Sequence, residues 1–295
     1  MNLKIREPVS SMIDVIVTGA SGFIGQALCD RLEQDGLSVL RVAHRHGCVS
    51  EAATWNALPK AGTVMHLAGR SYVPQSWQES ADFMRINVVG TEQALAYCRN
   101  NDASLVFASA YVYGIPEKLP IRESDRTAPN NPYALSKRLA EQLCEFASKI
   151  QGVPTTILRI FNVFGPKQRA EFLIPSIVDQ VLNKKEINVL DLSPRRDYVF
   201  VEDVAEAFVK AMKTPNGFRC VNVGSGISYS VQEVIDIVQA VGGTNLPVRS
   251  AAVERRQEIP DVRADVTMGQ QLLGWQSIVD FRSGIERILL GAECE

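Results

Sequence analysis

Tyr133 and Lys137 stand four residues apart in the stretch Asn131-Pro132-Tyr133-Ala134-Leu135-Ser136-Lys137, so on a helix both side chains leave the same face. Asn131 suits a helix cap and Pro132 a first helical turn, which puts the pair at a helix start. An ammonium beside a phenol stabilises the phenolate and draws tyrosine's ordinary pKa of about 10 toward neutrality. A phenol tuned in this way can give or take the proton that accompanies hydride transfer at a carbonyl. Upstream, the apolar run Leu105-Val106-Phe107-Ala108 reads as a strand, and Ser109 sets a hydroxyl at its end.

Hydride chemistry needs a dinucleotide, and the stretch Thr18-Gly19-Ala20-Ser21-Gly22-Phe23-Ile24-Gly25 has the form that binds one. Ile13 to Val17 is a β-branched run of strand length, and Ala27, Leu28 and Leu32 recur at helical spacing behind the glycines. Gly19 permits the tight turn, Gly22 lets backbone N–H groups reach phosphates, and Gly25 lets helix pack on strand. Ser21, Phe23 and Ile24 complete the turn and the helix start. The second strand, Ser38 to Ala43, ends where an NAD-selective fold carries Asp or Glu for the adenosine ribose. Here Ala43 is followed by His44 and Arg45, with no carboxylate until Glu51. A carboxylate repels a 2′-phosphate and a guanidinium grips it, so Arg45, with His44 and help from Arg41, predicts NADP(H) over NAD(H). The alternative is that Arg45 is a solvated loop charge. Thr63 to Gly69 is a third strand, and Leu67, Ala68 and Gly69 at its end allow a cofactor close approach. His66, in mid-run, reads as a packed core histidine.

The elements that position these residues alternate strand and helix, which predicts an α/β fold with a doubly wound parallel Rossmann sheet. Residues 46 to 60 are weakly patterned and predict an abbreviated crossover; 81 to 99 predict one helix. Beyond Gly165 the chain carries a helix over Phe172 to Leu182 and a short strand over Ile187 to Leu190. Strand and helix return over Val199 to Met212, with a further strand over Cys220 to Gly224. Val231 to Val241 and a segment near Ile285 read as helices. This divides the chain into a dinucleotide lobe, 1–165 plus 196–227, and a smaller C-terminal α/β substrate lobe, 166–195 plus 228–295. The 295 residues carry a formal charge of −2, which leaves no electrostatic footprint for nucleic acid or an anionic membrane. No apolar run approaches the ~18 residues of a membrane span, and the first dozen residues lack a signal-peptide core. Six scattered cysteines without a Cys-x-x-Cys pair predict reduced thiols in a cytoplasmic setting, and His44, His46 and His66 lack metal-ligand company.

Taken together, the glycine turn, His66-Leu67-Ala68-Gly69, Ser109, Tyr133-x-x-x-Lys137, Arg159-Ile160-Phe161-Asn162-Val163-Phe164-Gly165-Pro166 and Arg196-Asp197-Tyr198-Val199 resemble the extended short-chain dehydrogenases/reductases, also called the NAD-dependent epimerase/dehydratase family. The resemblance covers roughly residues 13 to 290. It implies that Tyr133 is the acid/base, that Ser109 shares the substrate oxygen with it, and that Lys137 also holds the nicotinamide ribose. It further implies that Asn162 contacts substrate near a diphosphate, which Arg196 and Arg255 clamp. A local ion pair with Asp197 is the alternative for Arg196. Dehydratases and decarboxylases of the family put acids directly after the catalytic hydroxyl, whereas this chain has Ala110 and Tyr111, which lowers both reactions. Related epimerases often carry Asn before Leu-x-Pro, where this chain has Phe172. The expected activity is NADPH-dependent reduction of the 4-keto group of a nucleotide-linked 4-keto-6-deoxyhexose. An NAD-dependent nucleotide-sugar 4-epimerase is the alternative, and a non-catalytic dinucleotide-binding regulator ranks below both. The helices at 81–99 and 133–149 lie where relatives build a dimer interface, so a homodimer is expected.

Overall fold

The computed structural model describes residues 12–214, 217–252 and 258–292. The first half of the chain runs β1 (Ile13–Thr18), α1 (Phe23–Gln34), β2 (Val39–Val42), α2 (Ala52–Asn56), β3 (Ala61–His66), α3 (Val73–Ser76), α4 (Ser80–Met84), α5 (Gly90–Asn101), β4 (Ser104–Ala110) and α6 (Pro132–Gln151). It continues through β5 (Thr155–Ile160), β6 (Asn162–Phe164), α7 (Leu173–Asn183), β7 (Ile187–Val189), β8 (Arg195–Phe200), α8 (Val201–Met212), β9 (Phe218–Val223), β10 (Ser228–Ser230), α9 (Val231–Val241), β11 (Val248–Ser250) and α10 (Phe281–Ala292).

Six parallel strands form the main sheet in the order β2-β1-β3-β4-β5-β9, the Rossmann-like α/β architecture that the alternation predicts. The chain moves outward from β1 to β2, then returns to lay β3 on the other side of β1. That reversal opens the crevice in which parallel α/β sheets bind ligands, at the carboxyl ends of β1 and β3. The crossover from β2 to β3 is indeed short, a three-residue turn (His44–His46) followed by α2. Both sheet faces are buried, so strand residues alternate between two apolar clusters rather than between core and water. Val15 and Val17 pack with Leu28, Leu32, Val204 and Phe208 under α1 and α8. Ile16, Val64, Leu105 and Phe107 pack with Leu95, Cys98, Ala140 and Cys144 under α5 and α6.

Beside the main sheet lies a region with two small sheets, β10-β8-β6 and β11-β7. Its core is aromatic: Phe164, Tyr198, Phe200 and Phe281 cluster among residues of α7, α9 and α10, with the Phe164 and Phe281 rings 4.9 Å apart. Residues 196–200, grouped by sequence with the dinucleotide lobe, form part of β8 and pair here with β6 and β10. Trp275, which the sequence reading grouped with the substrate lobe, packs in the cluster of β1 and α8 and donates to Asp203 O at 2.8 Å. The helix expected over 81–99 is interrupted by a π turn, Arg85–Val89. The extra residue in that turn brings Asn87 inside, 1% exposed, at the margin of the crevice.

Candidate active site

β1 delivers the chain into Gly19 at φ +70, a backbone conformation that disfavours any side chain. A Cβ at Gly19 would lie 2.8 Å from Ala68 N, and one at Gly25 only 2.1 Å from Gly19 O. The glycines are therefore required by the close approach of β1, α1 and the end of β3. No side chain caps α1 at Gly22, so its first N–H groups and the positive end of the helix dipole suit a pyrophosphate. These residues fit a nicotinamide dinucleotide, with Ser21 exposed on the turn and Phe23 and Ile24 opening the helix.

Across the crevice, Thr18 Oγ1 accepts from Ala68 N at 3.2 Å and lies 2.8 Å from His66 Nδ1. This fixes the Leu67-Ala68-Gly69 turn against the glycine turn. Burial drives the His66 pKa down to about 3, with the Lys137 charge adding to the effect, so His66 stays a neutral packing group. Gly69 faces Asn87 and Lys137: a Cβ there would come within 2.8 Å of Asn87 Oδ1 and 3.4 Å of Lys137 Nζ. Asn87 Oδ1 accepts from Arg70 N at 2.8 Å while its Nδ2 donates to Arg70 O at 3.0 Å and to Ser136 Oγ at 2.8 Å. Ser136 in turn donates to Tyr133 O at 2.7 Å. Asn87 thus locks the start of α6 to the turn after β3. Sequence reasoning missed it, because a π turn has no signal in the 3.6-residue pattern.

α6 begins as its sequence dictates, with Asn131 Oδ1 accepting from Ala134 N at 2.9 Å. Tyr133 is half-buried with its ring edge against Phe83, centroids 6.2 Å apart. One turn on, Lys137 donates to Ala108 O at 2.8 Å and sits 4.9 Å from the Phe107 ring centroid. Burial lowers the Lys137 pKa to about 8. The expected depression of the Tyr133 pKa is not what this arrangement produces. Burial raises the phenol above its ordinary range, while the Lys137 ammonium is committed to a backbone carbonyl. The Ser109 hydroxyl donates to Glu141 Oε1 at 2.7 Å. Ser109 and Arg159 are register partners on β4 and β5, and Glu141 lies over both, accepting from Arg159 Nε and Nη2 at 2.9 Å each. Arg159 Nη1 reaches Tyr113 OH at 2.9 Å, and Tyr113 donates to Asn222 Oδ1 at 2.6 Å. The residue one turn beyond Lys137, which sequence reasoning did not single out, therefore anchors a buried polar network near Tyr133 and Lys137.

At the end of β2, Arg45 and His44 are exposed, and among the described residues Arg45 has no hydrogen bond or ion pair. Arg41 is turned to α1 instead. Its guanidinium takes both oxygens of Glu33 at 2.8 Å each and Asp30 at 2.6 Å, which fastens β2 to α1.

On the substrate side, Asn162 Nδ2 donates to Asp197 O at 3.3 Å. Asp197 is fully buried and accepts from Ser225 N, Ser225 Oγ, Gly226 N and Ala264 N, so it is saturated by other donors and does not pair with Arg196. Arg196 pairs with Glu258 instead and donates to Ile259 O and Arg195 O at 2.7 Å each. Arg255 lies outside the described residues. Among the described residues, no three His, Cys, Asp or Glu side chains gather as metal ligands would, and no helix is long and apolar enough to cross a membrane.

A family model described as the NAD dependent epimerase/dehydratase family matches residues 15–224. GDP-6-deoxy-D-mannose reductase from Pseudomonas aeruginosa is 31% identical over 292 residues, covering 93% of this chain and 95% of its own length. UDP-glucose 4-epimerase from Azospirillum brasilense is also 31% identical, over 320 residues, covering 95% of this chain and 91% of its own. Among solved structures, RMD from Pseudomonas aeruginosa complexed with NADPH superposes with a TM-score of 0.87 at 28% identity, covering 96% of this chain and 99% of that one. MoeE5 in complex with UDP-glucose and NAD superposes with a TM-score of 0.88 at 28% identity, covering 95% and 99%.

Proposed function

The chain belongs to the NAD-dependent epimerase/dehydratase family, and from that membership we propose that it uses NADPH to reduce the 4-keto group of a nucleotide-linked 4-keto-6-deoxyhexose. The observation that carries the reading is Arg45, exposed and unpaired among the described residues, beyond a β2 end that offers Ala43 where NAD selectivity needs a carboxylate. Similarity to GDP-6-deoxy-D-mannose reductase supports the reaction class. When bound, the dinucleotide supplies the hydride. Tyr133 gives the proton to the developing alkoxide, and a phenol kept protonated by burial suits the reductive direction. Lys137 holds the ribose from its seat on the Ala108 carbonyl. Ser109 shares that oxygen with Tyr133 by turning its hydroxyl from Glu141 to the substrate. Asn162, Arg196 and Arg255 receive the diphosphate, Arg196 exchanging its Glu258 partner for phosphate oxygens. Ala110 and Tyr111 offer no second acid, so dehydration is disfavoured.

A second reading is a nucleotide-sugar 4-epimerase that retains NAD, favoured by the equal identity of the Azospirillum brasilense UDP-glucose 4-epimerase. A regulator without chemistry would not require Tyr133 and Lys137 on one helix face. Both enzyme readings take a cytoplasmic protein acting on a nucleotide-diphosphate sugar, and a homodimer through α5 and α6. The test incubates the purified protein with NADPH and a panel of nucleotide 4-keto-6-deoxysugars, and separately with UDP-glucose. Loss of nicotinamide absorbance with one keto-sugar is the expected result. Conversion of UDP-glucose to UDP-galactose without added reductant assigns the epimerase.

A further inference from the structure

Among the described residues the Tyr133 hydroxyl makes no hydrogen bond, so the direction of the phenol is set by what its ring packs against. The aromatic neighbour is Phe83, in α4, whose ring stands at 76° to the Tyr133 ring with centroids 6.2 Å apart. That edge-to-face arrangement is one that aromatic pairs prefer. Phe83 is fully buried, yet it belongs to none of the apolar clusters that pack the sheets. Its surroundings are the start of α6 and the turn after β3 instead. From that turn, the Arg70 guanidinium lies over the Phe83 ring, 5.2 Å from its centroid and within cation–π range. Arg70 is itself seated by ion pairs with Glu79 at 2.6 Å and with Asp82, the residue before Phe83. Its backbone N–H donates to Asn87 Oδ1 at 2.8 Å.

Resting on the reading above, in which Tyr133 gives the proton, we propose that Phe83 is its positioning residue: the ring, held by Arg70, fixes the tilt of the phenol. The backbone of Tyr133 is tied separately, since Ser136 Oγ donates to Tyr133 O at 2.7 Å and accepts from Asn87 Nδ2 at 2.8 Å. Those bonds hold the start of α6 and leave the two side-chain torsions of Tyr133 free. An untethered phenol with its edge-to-face neighbour removed spreads over more tilts, and only the aligned fraction transfers a proton. Alignment of the reacting group is worth much in rate, because a misplacement of about 1 Å can cost ~10²-fold. Phe83 itself offers no proton and acts only through Tyr133.

The experiment is a double-mutant cycle between Phe83→Leu and Tyr133→Phe. Rates are measured with NADPH and the panel of nucleotide 4-keto-6-deoxysugars, and with UDP-glucose, on whichever sugar the wild type converts. Both enzyme readings employ Tyr133, so either assay serves. Phe83→Leu should lower kcat about tenfold while KM and the affinity for NADPH stay within about twofold. Tyr133→Phe keeps the ring and removes only the hydroxyl, so in that background Phe83→Leu should cost less than about twofold. A purely structural defect lowers both backgrounds equally. Should the leucine variant fail to fold by circular dichroism, Phe83→Met fills the space and enters the same cycle. Arg70→Met, which leaves the ring in place and removes the cation over it, gives the same pattern at smaller amplitude and carries the test if neither Phe83 variant folds. Equal losses in the two backgrounds, or no loss in either, overturn the positioning role alone. A Tyr133→Phe enzyme as active as wild type overturns Tyr133 as the acid and the positioning role with it. No conversion of any sugar by the wild type overturns the nucleotide-sugar reading and everything that rests on it.

Discussion

The hydroxyl of Ser109 donates to Glu141 Oε1 at 2.7 Å, the same oxygen that accepts from Arg159 Nε at 2.9 Å. On the proposed reading Ser109 only orients the substrate oxygen, and Tyr133 is the proton donor to it. Tyr133→Phe should lower kcat by at least ~10²-fold while the affinity for NADPH stays nearly unchanged, because the substitution removes the proton and little else. Ser109→Ala should cost less than Tyr133→Phe. Lys137→Ala should harm both turnover and cofactor affinity. A Tyr133→Phe enzyme within a few-fold of wild type would move the acid elsewhere.

Glu141 is 1% exposed and Arg159 6% exposed, so their ion pair is formed in the interior. Removing one partner leaves a charge buried without compensation, which costs about 3–5 kcal/mol. Glu141→Ala should therefore lower the urea midpoint steeply. The double variant Glu141→Leu with Arg159→Met should recover much of that loss, since it buries no orphaned charge. A double variant as unstable as Glu141→Ala would mean that packing, and not charge, dominates at this site.

The glycine turn, the Tyr133 and Lys137 face of α6 and the parallel sheet are legible from residue types because each depends on short-range pattern. Glycine spacing, an i, i+4 pair and buried strand runs fall within a few residues of one another. The partners of charged groups are not legible in that way. Arg41 satisfies Asp30 and Glu33, Arg196 reaches Glu258 instead of its neighbour Asp197, and Ser109 finds Glu141, 32 residues away. Each choice is made by tertiary packing. Asn87 was hidden for a different reason, because a π turn shifts the inward face by one residue within an otherwise regular helical pattern.

His66 supplies a pH dependence with a definite sign. Its folded-state pKa, lowered by burial to about 3, lies below the usual 6.5, so between those values the unfolded chain binds a proton that the native state refuses. Stability is full above about 6.5 and falls as pH drops through this window, by ~1.4 kcal/mol per unit for the one group. Urea titrations of the wild type and His66→Leu across pH 6.5 to 4 should show a slope smaller by that amount in the variant. Parallel slopes would exclude His66 as the titrating group.

Leu139, Phe146 and Ile150 stand exposed along α6, the last two at 54% and 70%, and Leu135 and Val89 extend the same apolar surface. A second copy covering this face would bury it and give the homodimer. Phe146→Glu should then yield a monomer by light scattering at micromolar concentration, with the fold retained by circular dichroism. A wild type that is already monomeric under those conditions removes the dimer.

On the NADPH reading, Arg45 decides the cofactor. Arg41 is engaged by Glu33 and Asp30 through Nε and Nη2, which holds β2 to α1. Arg45 has no such obligation among the described residues and projects from the turn after the strand that flanks the adenosine ribose in this fold. A charge-assisted hydrogen bond to a 2′-phosphate is worth about 1.5–3 kcal/mol, so Arg45→Ala should weaken NADPH by ~10- to 150-fold and leave NADH within a few-fold. Fluorescence titration of both dinucleotides measures the two affinities on the same preparation. Replacing Ala43 with Asp should shift selectivity further, by repelling the phosphate and offering the NADH ribose an acceptor. Tighter binding of NADH than NADPH by the wild type, or equal weakening of both in Arg45→Ala, would assign the site to NAD and strengthen the epimerase.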